Sequence, residues 1–144
     1  MNPFNLLFGF SGRINRGKYW LAFLLWLVLW AAVAILLFMS DFSMAVIVAA
    51  VIVIIPNIIS GIAVGIKRLH DRNKSGWWLL VFYLVPLAAF FWANLLEGGL
   101  LQTVLSTAGL LFSIYALVEL GCLRGTIGGS TYGPDPVAPK PAQH

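Results

Sequence analysis

Four stretches of this chain hold no charged residue for about twenty positions at a time, and that decides most of what it can become. They cover 19–40, 42–66, 75–96 and 98–118. A helix rises 1.5 Å per residue, so crossing a hydrocarbon core of about 30 Å takes about 20 apolar residues. Each run meets that length. None carries the charged face that a helix on a water-soluble core would need. The chain is 60% hydrophobic and only 10% charged, against roughly 25% charged in soluble domains. The expected fold is therefore an all-α membrane protein with four transmembrane helices. The fourth run is the most polar, with Gln102, Thr103, Ser106, Thr107 and Ser113.

The cations set the direction. Arg13, Arg16 and Lys18 precede the first run; Lys67, Arg68, Arg72 and Lys74 separate the second from the third; Arg124 and Lys140 follow the fourth. The other two connections hold only Asp41 and Glu97. All nine Lys and Arg thus fall on one side, which the positive-inside rule makes cytoplasmic, with both termini there. Ala32-Val33-Ala34 imitates a signal-peptide cleavage site, but the apolar run around it is too long for a signal core. The net charge of +4 lies beside apolar runs, so its expected counter-charge is anionic lipid and not nucleic acid. Cys122 stands alone, which excludes an internal disulfide.

Three regions follow. Residues 1–18 read as an interfacial segment, with Phe4, Leu7, Phe8 and Phe10 dipping into the inner leaflet. Residues 19–123 form the four-helix transmembrane domain. Residues 124–144 make a Gly/Pro-rich cytoplasmic tail, whose last fifteen residues hold four prolines and are expected to be extended and poorly ordered. Trp20, Trp77 and Trp78 are placed to sit at the membrane interface.

"KRLHDRNKSGWW", residues 67–78, is the most charged stretch. Lys67 and Arg68 stand where the second run leaves the bilayer and can snorkel to the headgroups. Ser75 is placed to cap the third helix. His70-Asp71 could in principle pair a base with its orienting carboxylate. Adjacent residues rarely orient one another that way, and no nucleophile stands nearby, so no catalytic residue is assigned. The only other histidine is His144, too few ligands for zinc, so neither a metal nor a cofactor is expected. The expected arrangement is a cytoplasmic ion cluster of Arg13, Arg68, His70, Asp71 and Glu119, in which Asp71 offsets the surrounding cations.

Within the spans, Asn57, Gly61 and Gly65 recur every four residues after Pro56, which should kink the second helix. Gln102, Ser106, Gly109, Ser113 and Ala116 share one face of the fourth. Small residues let helices approach closely, so a packing seam between spans two and four is expected at Asn57, Gly61, Gly65, Ser106, Gly109 and Ser113. With no charge inside any span, the seam lacks an ion-coupling carboxylate.

"FSGRINRGKYW", "KRLHDRNKSGWW" and "GTIGGSTYGPDP", in this order and at these spacings, resemble a family of small bacterial inner-membrane proteins, domain-of-unknown-function family 805. Gly12-Arg13, Arg68-Leu69-His70-Asp71, Ser75-Gly76-Trp77 and Tyr132-Gly133 carry the likeness over nearly the whole chain. Lys67 replaces a usual arginine, and Ser130-Thr131 replaces a usual asparagine and basic residue, removing a cation before Tyr132. The resemblance implies a multi-pass protein of the bacterial inner membrane and supplies no activity. The expected function is a non-catalytic interaction or lipid-associated module with a basic cytoplasmic face. Anionic headgroups, a second copy or a membrane partner subunit are its expected partners. The alternative is a small oligomeric transporter or channel using the seam of spans two and four. An enzyme using His70 and Asp71 is the weaker third reading.

Overall fold

The computed structural model describes residues 2–137. A short helix, α1 (Pro3–Phe8), precedes four long ones: α2 (Arg16–Met39), α3 (Met44–Asp71), α4 (Trp78–Asn94) and α5 (Leu100–Leu117). The last runs on into one widened π-type turn, Val118–Cys122. No strand occurs among the described residues, only an isolated bridge between Ser130 and Gly133. Helices α2, α3 and the α5–π unit are long and apolar enough to cross a membrane, and α4 is a shorter apolar helix of 17 residues. The chain is an all-α membrane protein of about four spans.

Local chemistry explains the ends. Asn2 and Asn15 cap α1 and α2 by accepting the amides of Phe4 (3.1 Å) and Lys18 (2.9 Å). Two short turns join the helices at the end without cations. One puts Asp41 and Phe42 in left-handed backbone at φ 53° and 55°; the other uses Gly98 and Gly99 at φ 99° and 92°.

Helix α3 departs most from the sequence reading. Its 28 residues span about 42 Å at 1.5 Å per residue, well beyond a core of about 30 Å. It continues as one helix through Pro56 and carries Lys67–Asp71 as its last turns. The stretch read as a loop is helical for its first five residues. The true connector is short, with Asn73 left-handed at φ 54°. Ser75 does not cap α4 from its first turn. Its hydroxyl receives the Trp77 amide only at 3.5 Å, and Trp77 itself occupies the cap position.

The core lies at one end. Ile14, Tyr19, Ala22, Val64, Leu69, Leu79, Phe82, Ala116 and Leu120 form a single buried cluster where α2 and α4 begin and α3 and α5 finish. This is the end that carries the cations. Toward the opposite end α4 and α5 remain closely packed on each other, with Ala93 and Gly109 buried between apolar side chains that face outward.

Candidate functional site

At the core end, Asp71 occupies the last turn of α3 and is buried with both of its partners. One carboxylate oxygen accepts Arg13 Nε at 3.1 Å and lies 3.1 Å from the same guanidinium's Nη2. The other accepts Arg68 Nη1 from one turn earlier on the same helix. Each arginine then reaches further. Arg68 donates to the carbonyls of Leu120 (2.5 Å) and Leu123, at the α5 terminus, where unpaired carbonyls gather negative potential. Arg13 donates to the carbonyls of Thr126, Gly128 (2.7 Å) and Gly133 (3.3 Å). The Asp71 carbonyl accepts the Thr126 amide at 2.8 Å. Gly125 passes so close that any Cβ there would strike the Asp71 carboxylate. The N-terminal segment, α3, the π turn and the C-terminal segment thus meet at one carboxylate.

Glu119, in the π turn, forms a separate centre. Its Oε1 lies 3.2 Å from Arg72 Nε and 2.8 Å from Lys74 Nζ, and Arg72 also donates to the Arg124 carbonyl at 2.5 Å. Lys74 rests 5.5 Å from the centre of the Trp78 ring. The single cluster expected from the sequence is therefore two. Arg13 and Arg68 belong to Asp71, while Glu119 takes Arg72 and Lys74 instead of either of them.

His70 belongs to neither. Its ring stacks on Tyr132 at 4.0 Å with the planes 4° apart, and its Nδ1 sits 3.3 Å from the Gly12 carbonyl. Lys67, fully buried, donates to the Asn5 (2.6 Å) and Leu6 (2.5 Å) carbonyls and so closes the end of α1. Residues 130–137 were expected to be extended and poorly ordered. They instead carry a turn in which Ser130 and Gly133 exchange backbone hydrogen bonds at 3.1 Å, with Tyr132 docked on His70. Residues 138–144, with Lys140 and His144 of the expected tail, lie outside the described residues.

A second feature opens directly beneath this cap. A cleft of about 790 Å³ runs between α2, α3, α4 and α5, walled by Tyr19, Phe23, Trp26 and Trp30 on α2 and by Phe82 and Tyr83 on α4. Asn57, Gly61 and Gly65 of α3 and Ser113 of α5 line it too. The small-residue face of α3 thus borders a cleft, joined from the expected α5 seam residues only by Ser113, and the close packing lies elsewhere. Gly65 abuts Leu79 of α4, Gly109 packs on Ala89 and Phe90 of α4, and Gly61 has open space where a Cβ would stand. The Ser113 hydroxyl donates to the Gly109 carbonyl at 2.8 Å, and Ser106 is half-buried along α5. Of the interface aromatics, Trp20 donates from its indole to the Gly121 carbonyl at 2.9 Å, while Trp77 is exposed and Trp78 lies under Lys74.

The family model described as "Protein of unknown function (DUF805)" matches residues 7–134. The chain is 34% identical to the Uncharacterized protein YiiR of Escherichia coli (strain K12) over 131 residues, 90% of this chain and 86% of that one. It is 25% identical to the Inner membrane protein YhaI of the same strain over 128 residues, covering 89% and 86%. It is likewise 25% identical to the Inner membrane protein YhaH over 134 residues, covering 89% and 87%. No solved structure matches. The matched range includes Arg13, Arg68, Asp71, Glu119 and Tyr132, so both carboxylate centres and the histidine stack fall inside it.

Proposed function

This chain belongs to the DUF805 family, and from that premise we propose that it is a multi-pass inner-membrane protein with both termini cytoplasmic, acting as a non-catalytic, lipid-associated module. The orientation rests on the eight Lys and Arg of the described residues lying at one end. The non-catalytic reading is supported by how the charged groups are used. Arg13, Lys67, Arg68, Arg72 and Lys74 bond to carboxylates or backbone carbonyls inside the fold, and His70 is stacked on Tyr132. They hold a cytoplasmic cap on the bundle and, among the described residues, leave few cations to meet lipid: Arg16 and Arg124 are exposed, and Lys18 is half-exposed. The observation that carries the reading is the apolar-walled cleft directly below that cap. Deep apolar walls with a few polar groups suit an amphiphile better than a hydrated solute.

The test is lipid retention set beside solute flux. Protein purified in mild detergent from inner membranes should keep anionic phospholipid through extensive washing. The same protein in sealed vesicles should leave the efflux of small trapped solutes at the protein-free rate. Protein-dependent efflux would move the chain to the transporter class, and a preparation free of lipid would remove the lipid-associated reading.

A further inference from the structure

The geometry points to one occupant for the cleft: an anionic phospholipid of the cytoplasmic leaflet, with an acyl chain between α2, α3 and α4 and its phosphate at Arg16. It rests on the lipid-associated reading above and gives that reading a site. The cleft runs along α2 from Tyr19 to Trp30. Those eleven steps rise about 16 Å, half of a core of about 30 Å, which is the depth of one leaflet. It therefore accommodates a chain that enters from the leaflet beside the cap and stops near the bilayer centre.

Charge complements that shape. Arg16, Tyr19, Phe23, Trp26 and Trp30 follow one another at steps of three and four, which puts them on one stripe of α2. Four of them wall the cleft, and Arg16 stands one turn beyond its mouth. Arg16 is exposed and, among the described residues, makes no ion pair or side-chain hydrogen bond, whereas Arg13 and Arg68 are buried in theirs. A planar guanidinium suits a phosphodiester through two parallel hydrogen bonds. Tyr19, on the first turn inside the mouth, is the first of these residues to line the cleft. Gly61 contributes width, since nothing lies within 4 Å of the position its Cβ would take.

The experiment reconstitutes the full chain in bilayers of phosphatidylethanolamine with a minor fraction of phosphatidylglycerol, then counts retained lipids by native mass spectrometry. The wild type should keep one phosphatidylglycerol in preference to the major lipid. Gly61→Leu fills open space, so it should fold and lose that lipid. Arg16→Gln should keep a lipid but lose the preference for phosphatidylglycerol. A second measurement needs no cleft-filling variant. Phosphatidylglycerol with brominated chains should quench tryptophan emission beyond phosphatidylethanolamine at the same mole fraction, and replacing Trp26 and Trp30 with Phe should abolish the excess. Undiminished phosphatidylglycerol on Gly61→Leu, with no excess quenching, would overturn the cleft as the site while leaving a lipid-associated protein. Loss of the preference for phosphatidylglycerol on Asn57→Leu but not on Arg16→Gln would overturn the phospholipid, because the ligand's polar group would then sit at the inner end. A wild type retaining no lipid would overturn both this site and the reading beneath it.

Discussion

Asp71 and Glu119 carry the same charge, each meets two cations, and both side chains are only 4% exposed. Their partners differ. Arg13 and Arg68 are 1% and 0% exposed, while Arg72 and Lys74 are 25% and 31% exposed. Water can solvate the cations of the second centre if its carboxylate is lost, but not those of the first. Asp71 is also where four chain segments meet, whereas Glu119 ties the π turn to the α3–α4 connector. A carboxylate's weight in this fold is thus set by where its partners go when it is removed, and not by how many it has.

The largest effect should follow from Asp71→Ala. It strands two buried guanidinium groups, and breaking a buried pair by removing one partner costs about 3–5 kcal/mol. The measurement is thermal unfolding in detergent, with the folded yield as a second readout. Combining Asp71→Ala with Arg68→Ala should cost less than the two singles added, because each removes the same contact. Strict additivity would break the contrast between the centres.

Gly125→Ala sharpens the contrast without touching a charge. The new methyl meets the Asp71 carboxylate, and overpacking of this kind costs about 1–3 kcal/mol. Gly129, four residues on, has open space around its Cβ position, so Gly129→Ala should stay within about 0.5 kcal/mol of wild type. Equal melting temperatures for the two variants would mean that the C-terminal segment does not seat on Asp71.

Much of this was legible in the sequence, and the rest was not, for definite reasons. Four charge-free runs locate four helices, because hydrocarbon admits few alternatives. The end of α3 was misplaced because charge marks where lipid stops and says nothing of where a helix stops. Lys67–Asp71 stay helical in the cap. With the helix carried to Asp71, the Arg68–Asp71 pair follows from its spacing of three. The partners of Glu119 could not be read, since Arg72 and Lys74 point where a six-residue connector turns them. The docking of residues 124–137 was hidden because backbone carbonyls do the accepting, and sequence gives carbonyls no signature. Gly125, Gly128 and Gly133 were its visible trace: one yields to Asp71, and two present oxygens to Arg13.

Glu119→Gln should have a smaller effect, about 1 kcal/mol, between an exposed ion pair and a charged hydrogen bond inside the fold. Its partners reach solvent, so salt should narrow the difference between variant and wild type. Raising ionic strength from about 0.1 to 1 M shortens the screening length from about 10 to 3 Å. The deficit of Asp71→Ala should persist under the same change. If both variants respond alike to salt, the two centres share one dielectric environment and the contrast fails.

A third carboxylate extends the series to its exposed end. Asp135 accepts the amides of Gly128 (3.1 Å) and Val137 (2.9 Å), and so closes the turn that carries Tyr132 to His70. These two hydrogen bonds, the Val137 amide foremost, hold its pKa below the usual 3.8. The sign follows from linkage. A carboxylate whose pKa falls on folding adds stability that is fully present above its unfolded pKa and is lost as pH drops through the folded one. No change is therefore expected above about pH 4. Asp135→Ala should leave the melting temperature within error, because water replaces the carboxylate at no burial penalty. The effect should appear locally, as faster hydrogen exchange at the Gly128 and Val137 amides and weaker stacking of Tyr132. Arg13 holds the same segment through the Gly128 and Gly133 carbonyls, so the segment should stay docked. If Asp135→Ala instead releases residues 124–137, the seat of the C-terminal segment is the turn and not the buried carboxylate.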